Sequence, residues 1–259
     1  MTTYVLAGGA WLGGWCWQEV ARRLREEGHD AYPVTLTGLG ERVHLASPEI
    51  DLETHITDVV KLIEFEDLND VVLLGHSYAG LVVTGAADRI FERISELVYL
   101  DTVPLPEGGS LIEKFPPELR RRTEEQVEEL GEGWKFPIPP QEELADMASL
   151  EGVDEDHLRL LYSRATPQPF GTYTQPLHLE NPAREELPKV GIVCSFSLEQ
   201  VEEMIASGDP VFRGLDRPEW RFVELPTGHW PMFSRPEDFA ELLLDLPSGK
   251  PVQNKARGS

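Results

Sequence analysis

At 259 residues and 41% hydrophobic content the chain can bury one substantial core, and 46 acidic against 23 basic side chains leave it a formal charge of −23. So negative a surface repels phosphate backbones and anionic bilayers, which argues against nucleic-acid and membrane-surface roles. Cys16 and Cys194, the two cysteines, are far apart and lack metal-like spacing. The start Met-Thr-Thr has no basic leader, and no apolar run approaches ~18 residues, so a cytoplasmic protein without disulfide framework, metal or membrane span is expected.

Apolar, β-branched runs at 4–6, 32–36, 71–74, 97–100, 190–194 and 221–225 read as strands alternating with helical patterns. The first helix covers 18–27 and stops at Gly28. In the second, Leu52, Ile56, Val59, Val60 and Ile63 recur on one face; a third runs from behind Ser77 to about Ile90, and a last one covers 236–246. This rhythm predicts an α/β fold with a doubly wound, mostly parallel sheet of about six strands. It breaks between Pro104 and Pro188, where charged helical patterns at 118–130, 142–150 and 154–162 are joined by Pro-rich pieces such as Trp134-Lys135-Phe136-Pro137-Ile138-Pro139-Pro140, with no buried strand. The expected organisation is a core of 1–103 and 188–247, a helical cap or lid of 104–187 over the strand carboxyl ends, and a polar tail of 248–259.

The run Gly75-His76-Ser77-Tyr78-Ala79-Gly80 directly follows Val71-Val72-Leu73-Leu74. It reads as a strand entering a sharp turn and then a helix, a geometry that lifts one serine hydroxyl above the sheet edge. Small residues must flank such a turn, and Gly75 and Ala79 meet that need. A serine hydroxyl attacks only when a base takes its proton. His229, in Leu225-Pro226-Thr227-Gly228-His229-Trp230-Pro231 between the last strand and last helix, stands where this chain order would put the base. His29, His44, His55, His157 and His178 have no such context. Oxyanion donors are expected from the Tyr78 amide and from Ala10 in the glycine-rich loop Ala7-Gly8-Gly9-Ala10-Trp11. That loop misses the Gly-x-Gly-x-x-Gly spacing of a dinucleotide site, and no cofactor is expected.

In these residues the chain resembles the α/β-hydrolase superfamily, and within it the branch of plant methyl esterases and hydroxynitrile lyases. The resemblance rests on Val5-Leu6-Ala7-Gly8-Gly9-Ala10-Trp11, Gly14-Trp15-Cys16-Trp17, Gly75-His76-Ser77 and Gly228-His229, in that order. It implies the α/β-hydrolase fold and, of the branch's two chemistries, ester hydrolysis: the lyases carry a threonine in the first loop and a lysine after the catalytic histidine, where this chain has Gly9 and Trp230. The serine nucleophile also separates it from epoxide hydrolases and haloalkane dehalogenases, which use a carboxylate. Two positions depart from the branch. Gly8 replaces a histidine, and the aspartate usual after the fifth strand is missing from Cys194-Ser195-Phe196-Ser197-Leu198-Glu199, with Ser197 in its register.

Asp101, closing the neighbouring strand, is the first substitute for the acid; Glu199 is the second and Asp209 the third, and a bare Ser-His pair stays open. Gly9, Trp11, Tyr78, Trp134, Phe136, Phe170, Tyr173 and Trp230 are the expected pocket walls, suited to an apolar or aromatic group. The expected function is a serine hydrolase cleaving a small carboxylic ester through an acyl-enzyme, with a small-molecule ester as its partner and homodimerisation open. The alternatives are a biosynthetic cyclase, lyase or C–C hydrolase on the same Ser-His pair, and a non-catalytic ligand sensor.

Overall fold

A computed structural model describes residues 1–246; the tail expected at 248–259, with residue 247, lies outside the described residues. In chain order, β1 (Thr3–Ala7), α1 (Gln18–Glu26), β2 (Asp30–Val34), α2 (Leu52–Phe65), β3 (Val71–His76), α3 (Ala79–Ile90) and β4 (Ile94–Leu100) build the first half of the sheet. The chain then passes through α4 (Pro117–Leu130), β5 (Lys135–Phe136), α5 (Gln141–Met147), α6 (Glu155–Arg164), β6 (Gln168–Pro169) and α7 (Gly171–Thr174). It returns by β7 (Lys189–Val193), α8 (Leu198–Ala206), β8 (Trp220–Glu224), α9 (Pro231–Ser234) and α10 (Pro236–Asp245).

Six strands pair in parallel in the order β2-β1-β3-β4-β7-β8, which is the doubly wound sheet expected. Every residue of β3 is buried, because helices cover both faces of the sheet, and the strand therefore reads as a continuous apolar run. Strand β1 pairs with β2 on one side and β3 on the other, so the winding reverses there. A crevice opens at such a reversal beyond the carboxyl ends of the strands.

Several short elements depart from the sequence expectation, α7 and α9 among them. Within 104–187, where no strand was expected, β5 and β6 form an antiparallel pair of two residues each, too short to show a period of two. Helix α8 follows β7; Ser197 caps it in a reciprocal capping box with Gln200, a Ser-x-x-Gln signal that the sequence does display. The segment returning to β7 is fixed on α3, where the buried Asp88 carboxylate accepts from the Glu180 and Asn181 amides, both at 2.9 Å, and from Arg184 at 3.0 Å.

Candidate active site

Ser77 joins β3 to α3 with φ of 51°, a left-handed conformation that costs a side-chain-bearing residue of order 1–3 kcal/mol. The surroundings enforce it. A Cβ on Gly75 would stand 2.5 Å from the Ala79 carbonyl oxygen, and one on Gly80 2.7 Å from Thr102 Cγ2, so the turn closes only over small residues. The Ser77 amide donates to Leu100 O at 3.1 Å, tying the elbow to the end of β4.

One residue beyond that strand end lies Asp101, also left-handed with φ of 48°. His229 Nδ1 is 2.6 Å from Asp101 Oδ2, a contact spanning 128 positions in sequence. The carboxylate also accepts from the Cys194 and Ser195 amides at 2.9 and 3.0 Å and from the Ser195 hydroxyl at 2.7 Å. Burial by itself would raise the Asp101 carboxyl, but the bonds from His229 and Ser195 prevail and hold it well below the usual carboxylate range. With Nδ1–H assigned to the bond with Asp101, the Nε2 lone pair is left to act as a base.

The other candidate acids lie elsewhere. Glu199 is exposed in the first turn of α8, and exposed Asp209 accepts from the Val211 amide at 2.8 Å in the loop beyond. Ser197, in register with the missing aspartate, is occupied in capping α8. The end of β7 instead presents its amides and the Ser195 hydroxyl to an acid delivered by β4.

The main chain of His229 is held on both sides. Its amide donates to Ser149 O at 2.7 Å, and His76 Nε2 donates to its carbonyl at 2.8 Å. Gly228 donates to Glu151 O at 2.9 Å, and a Cβ there would come within 2.5 Å of Ser149 O and 2.6 Å of Glu151 N. Residues 149–151 follow α5, so the 104–187 segment itself fixes the histidine loop. Gly228→Ala is therefore expected to push that loop away, costing about 1–3 kcal/mol of stability and on the order of 10- to 100-fold in turnover. Urea melts and ester assays check this; parental values in both would overturn it.

The first loop is fastened in a comparable way. Trp11 has φ of 64°; its amide donates to Gln168 Oε1 at 3.1 Å, its indole to Phe136 O at 3.0 Å, and its carbonyl accepts from Thr166 at 3.0 Å. The pair β5–β6 thereby steadies the loop that presents Ala10. No hydrogen bond within the described residues takes up the Ala10 or Tyr78 amide, and both residues line the same cavity as Ser77. At Gly8, where the branch carries histidine, the neighbouring space holds Leu12, Cys16 and Trp17.

That cavity, of about 670 Å³, brings together Ser77, His229, Asp101, Ala10 and Tyr78. Of the expected walls, Trp11, Tyr78, Tyr173 and Trp230 line it, whereas Gly9, Trp134, Phe136 and Phe170 do not. Gly9 backs onto the elbow: a Cβ would stand 2.8 Å from His76 Nδ1 and 3.1 Å from Ser77 Cβ, leaving no room for the lyase threonine. Phe136 is fully buried behind the wall, packed on Trp11 and Tyr173 at ring distances of 5.3 and 5.7 Å. Trp134 lies against Lys135 beside a separate surface depression. The unanticipated walls include Phe196 beyond β7 and Leu111, Phe115, Leu119, Leu144, Met147 and Leu150, apolar positions whose sequence signal is that of ordinary packing.

Behind the site, His55 Nε2 donates to Thr37 O and its Nδ1 accepts from the Tyr78 hydroxyl, both at 2.8 Å. Burial pushes His55 down to about 4; burial, aided by nearby His229, pushes His76 down to about 3. An unfolded histidine titrates near ~6.5, so on acidification the unfolded chain takes up protons that the folded one refuses. Each contribution is complete above about pH 6.5 and is lost as pH falls toward the folded value. Between about pH 6.5 and 5 unfolding free energy should drop by roughly 1–2 kcal/mol per histidine. Urea midpoints against pH test this: His55→Gln should flatten the slope, and an unchanged slope overturns it.

Strand order, elbow and crevice are those of an α/β hydrolase, with a serine set at the topological switch of a doubly wound sheet. The chain belongs to the alpha/beta hydrolase family, whose model matches residues 4–242. A carbendazim hydrolyzing esterase from Nocardioides sp. is 37% identical over 256 residues, covering 95% of this chain and 100% of that protein. Methylesterase 3 of Arabidopsis thaliana is 26% identical, over 93% of this chain and 94% of the relative. Among solved structures, an extracellular alpha/beta-hydrolase from a Paenibacillus species superposes with a TM-score of 0.79 at 23% identity, covering 95% of this chain and 98% of that one.

Proposed function

We propose that this chain hydrolyses small carboxylic esters carrying an apolar or aromatic group, with Ser77 as nucleophile, His229 as base and Asp101 as the acid behind it. Carboxylic ester hydrolysis is its activity as an alpha/beta hydrolase with esterase relatives; the proposal concerns the residues and the substrate class. The observation that carries it is the 2.6 Å contact between His229 Nδ1 and Asp101 beside a serine in a left-handed elbow. Ser77 Oγ attacks the ester carbonyl while His229 Nε2 takes its proton, and the Ala10 and Tyr78 amides hold the oxyanion. His229 then gives the proton to the departing alkoxide, leaving an acyl-serine. Water, activated by the same nitrogen, releases the carboxylic acid and restores Ser77. Nucleophile, base and oxyanion donors all come from the chain, so the chemistry calls for no cofactor.

In this reading residues 104–187 are the cap and 1–103 with 188–247 the core. The cap is fastened to both catalytic loops, through Trp11 and through His229. Among the described residues no helix is long and apolar enough to cross a membrane, and we propose a cytoplasmic enzyme with a small-molecule partner. The contact with Asp101 supports a Ser-His-acid site over a bare Ser-His pair. A serine-directed phosphonate, followed by peptide mass mapping, tests the assignment: adduct formation at Ser77 together with ester turnover is expected. Tight ligand binding without turnover across an ester panel would favour the sensor instead.

A further inference from the structure

Charge in the cavity is one-sided. Its lining holds two carboxylates, Asp101 and Asp146, and neither lysine nor arginine. Asp101 is engaged by His229, Cys194 and Ser195, whereas Asp146, near the end of α5, is exposed and is the only other carboxylate in the lining. Three residues on, Ser149 O accepts from the His229 amide at 2.7 Å, so a short main-chain path fixes Asp146 relative to the base. On its other side Asp146 shares a groove with Glu118, Glu143 and Arg122, where Glu118 is paired with Arg121 at 2.7 Å and drawn to Arg122 at 3.8 Å. The whole chain, at −23, adds to the same sign.

Hydrolysis turns a neutral ester into a carboxylate, and this cavity offers that anion no cation. Product release is thereby favoured, and by the same physics a substrate already bearing a carboxylate is turned away. Resting on the esterase reading above, we infer that the site selects esters that are neutral or carry a cationic or N–H-donating group at the end remote from the scissile carbonyl, with Asp146 as the residue that sets this preference. Asp146 acts on specificity and is given no part in the proton transfers.

Three rigid substrates test it: the p-nitrophenyl esters of p-tert-butylbenzoic acid, of its cationic isostere p-trimethylammoniobenzoic acid, and of p-carboxybenzoic acid. At low ionic strength, with each kcat/KM divided by that ester's own rate of hydroxide hydrolysis to remove the substituent's intrinsic effect, the parent should favour the cationic over the anionic ester by about tenfold or more, a ratio that falls as salt screens the field. Asp146→Asn should reduce the ratio to roughly threefold, and Asp146→Lys should invert it. A purely structural role for Asp146 would alter all three substrates together and leave the ratio in place. A parental ratio within about twofold, or one untouched in both variants, overturns the inference. If the phosphonate labels Ser77 but none of the three esters turns over, the substrate class is wrong and the esterase reading stands. If Ser77 is not labelled and nothing turns over, both fall.

Discussion

Ser77→Ala is expected to lower kcat on every ester the parent hydrolyses by roughly 10⁴- to 10⁶-fold, while binding of substrate to the folded protein persists. The loss is large because in the proposed mechanism the hydroxyl is the group that forms the acyl bond, and water positioned by the remaining donors replaces it poorly. The elbow itself should survive. Ala fits wherever Ser does at φ of 51°, and the small neighbours Gly75, Ala79 and Gly80 that shape the turn are unchanged. Parental turnover in this variant, measured with active-site titration to exclude contaminating enzyme, would remove Ser77 from the mechanism.

Asp101→Asn is expected to cost roughly 10²- to 10⁴-fold in kcat with the fold retained, whereas Glu199→Gln should stay within about twofold of the parent. The asparagine oxygen can still accept from the Cys194 and Ser195 amides, but its NH₂ would then face His229 Nδ1 and the Ser195 hydroxyl. A donor in that place turns the imidazole to the tautomer with Nδ1 bare, and Nε2 carries a proton just where a base is needed. Glu199 has no route to the same effect, being exposed on α8. The reverse order of losses in a pH–rate comparison of the two variants would reassign the acid.

What could be read without tertiary structure was what short stretches of chain encode. The six strands show because buried parallel strands are continuous apolar runs, and the long helices show because α2 packs Leu52, Ile56, Val59 and Ile63 on one stripe. Helix α8 escaped although its capping box and the helical spacing of Leu198, Val201, Met204 and Ile205 are both in the sequence. The β5–β6 pair escaped because strands of two residues show no period of two, and with it the anchoring of the first loop through Gln168, Phe136 and Thr166.

The pocket was harder to read than the fold. Trp134 and Phe136 drew attention as aromatics, yet the walls contributed by residues 104–187 are mainly Leu111, Leu119, Leu144, Met147 and Leu150, with Phe115. An aliphatic residue facing a cavity and one facing a core leave the same mark on a sequence, because both answer to the same exclusion from water.

The sequence by itself determined the α/β fold and the local chemistry of two loops. Gly75-His76-Ser77 and Gly228-His229 are legible because an elbow and a tight loop impose their demands for small residues on immediate neighbours in the chain. Which carboxylate stands behind His229 was decided only in three dimensions. That choice depends on β4 lying beside β7, on Asp101 emerging in a left-handed turn at φ of 48°, and on Cys194 and Ser195 reaching across to hold it. Those partners stand 93 and 94 positions from Asp101, and no local pattern records a hydrogen bond over that span. The charge of the cavity was decided the same way, by the packing of α5 that carries Asp146 to its wall.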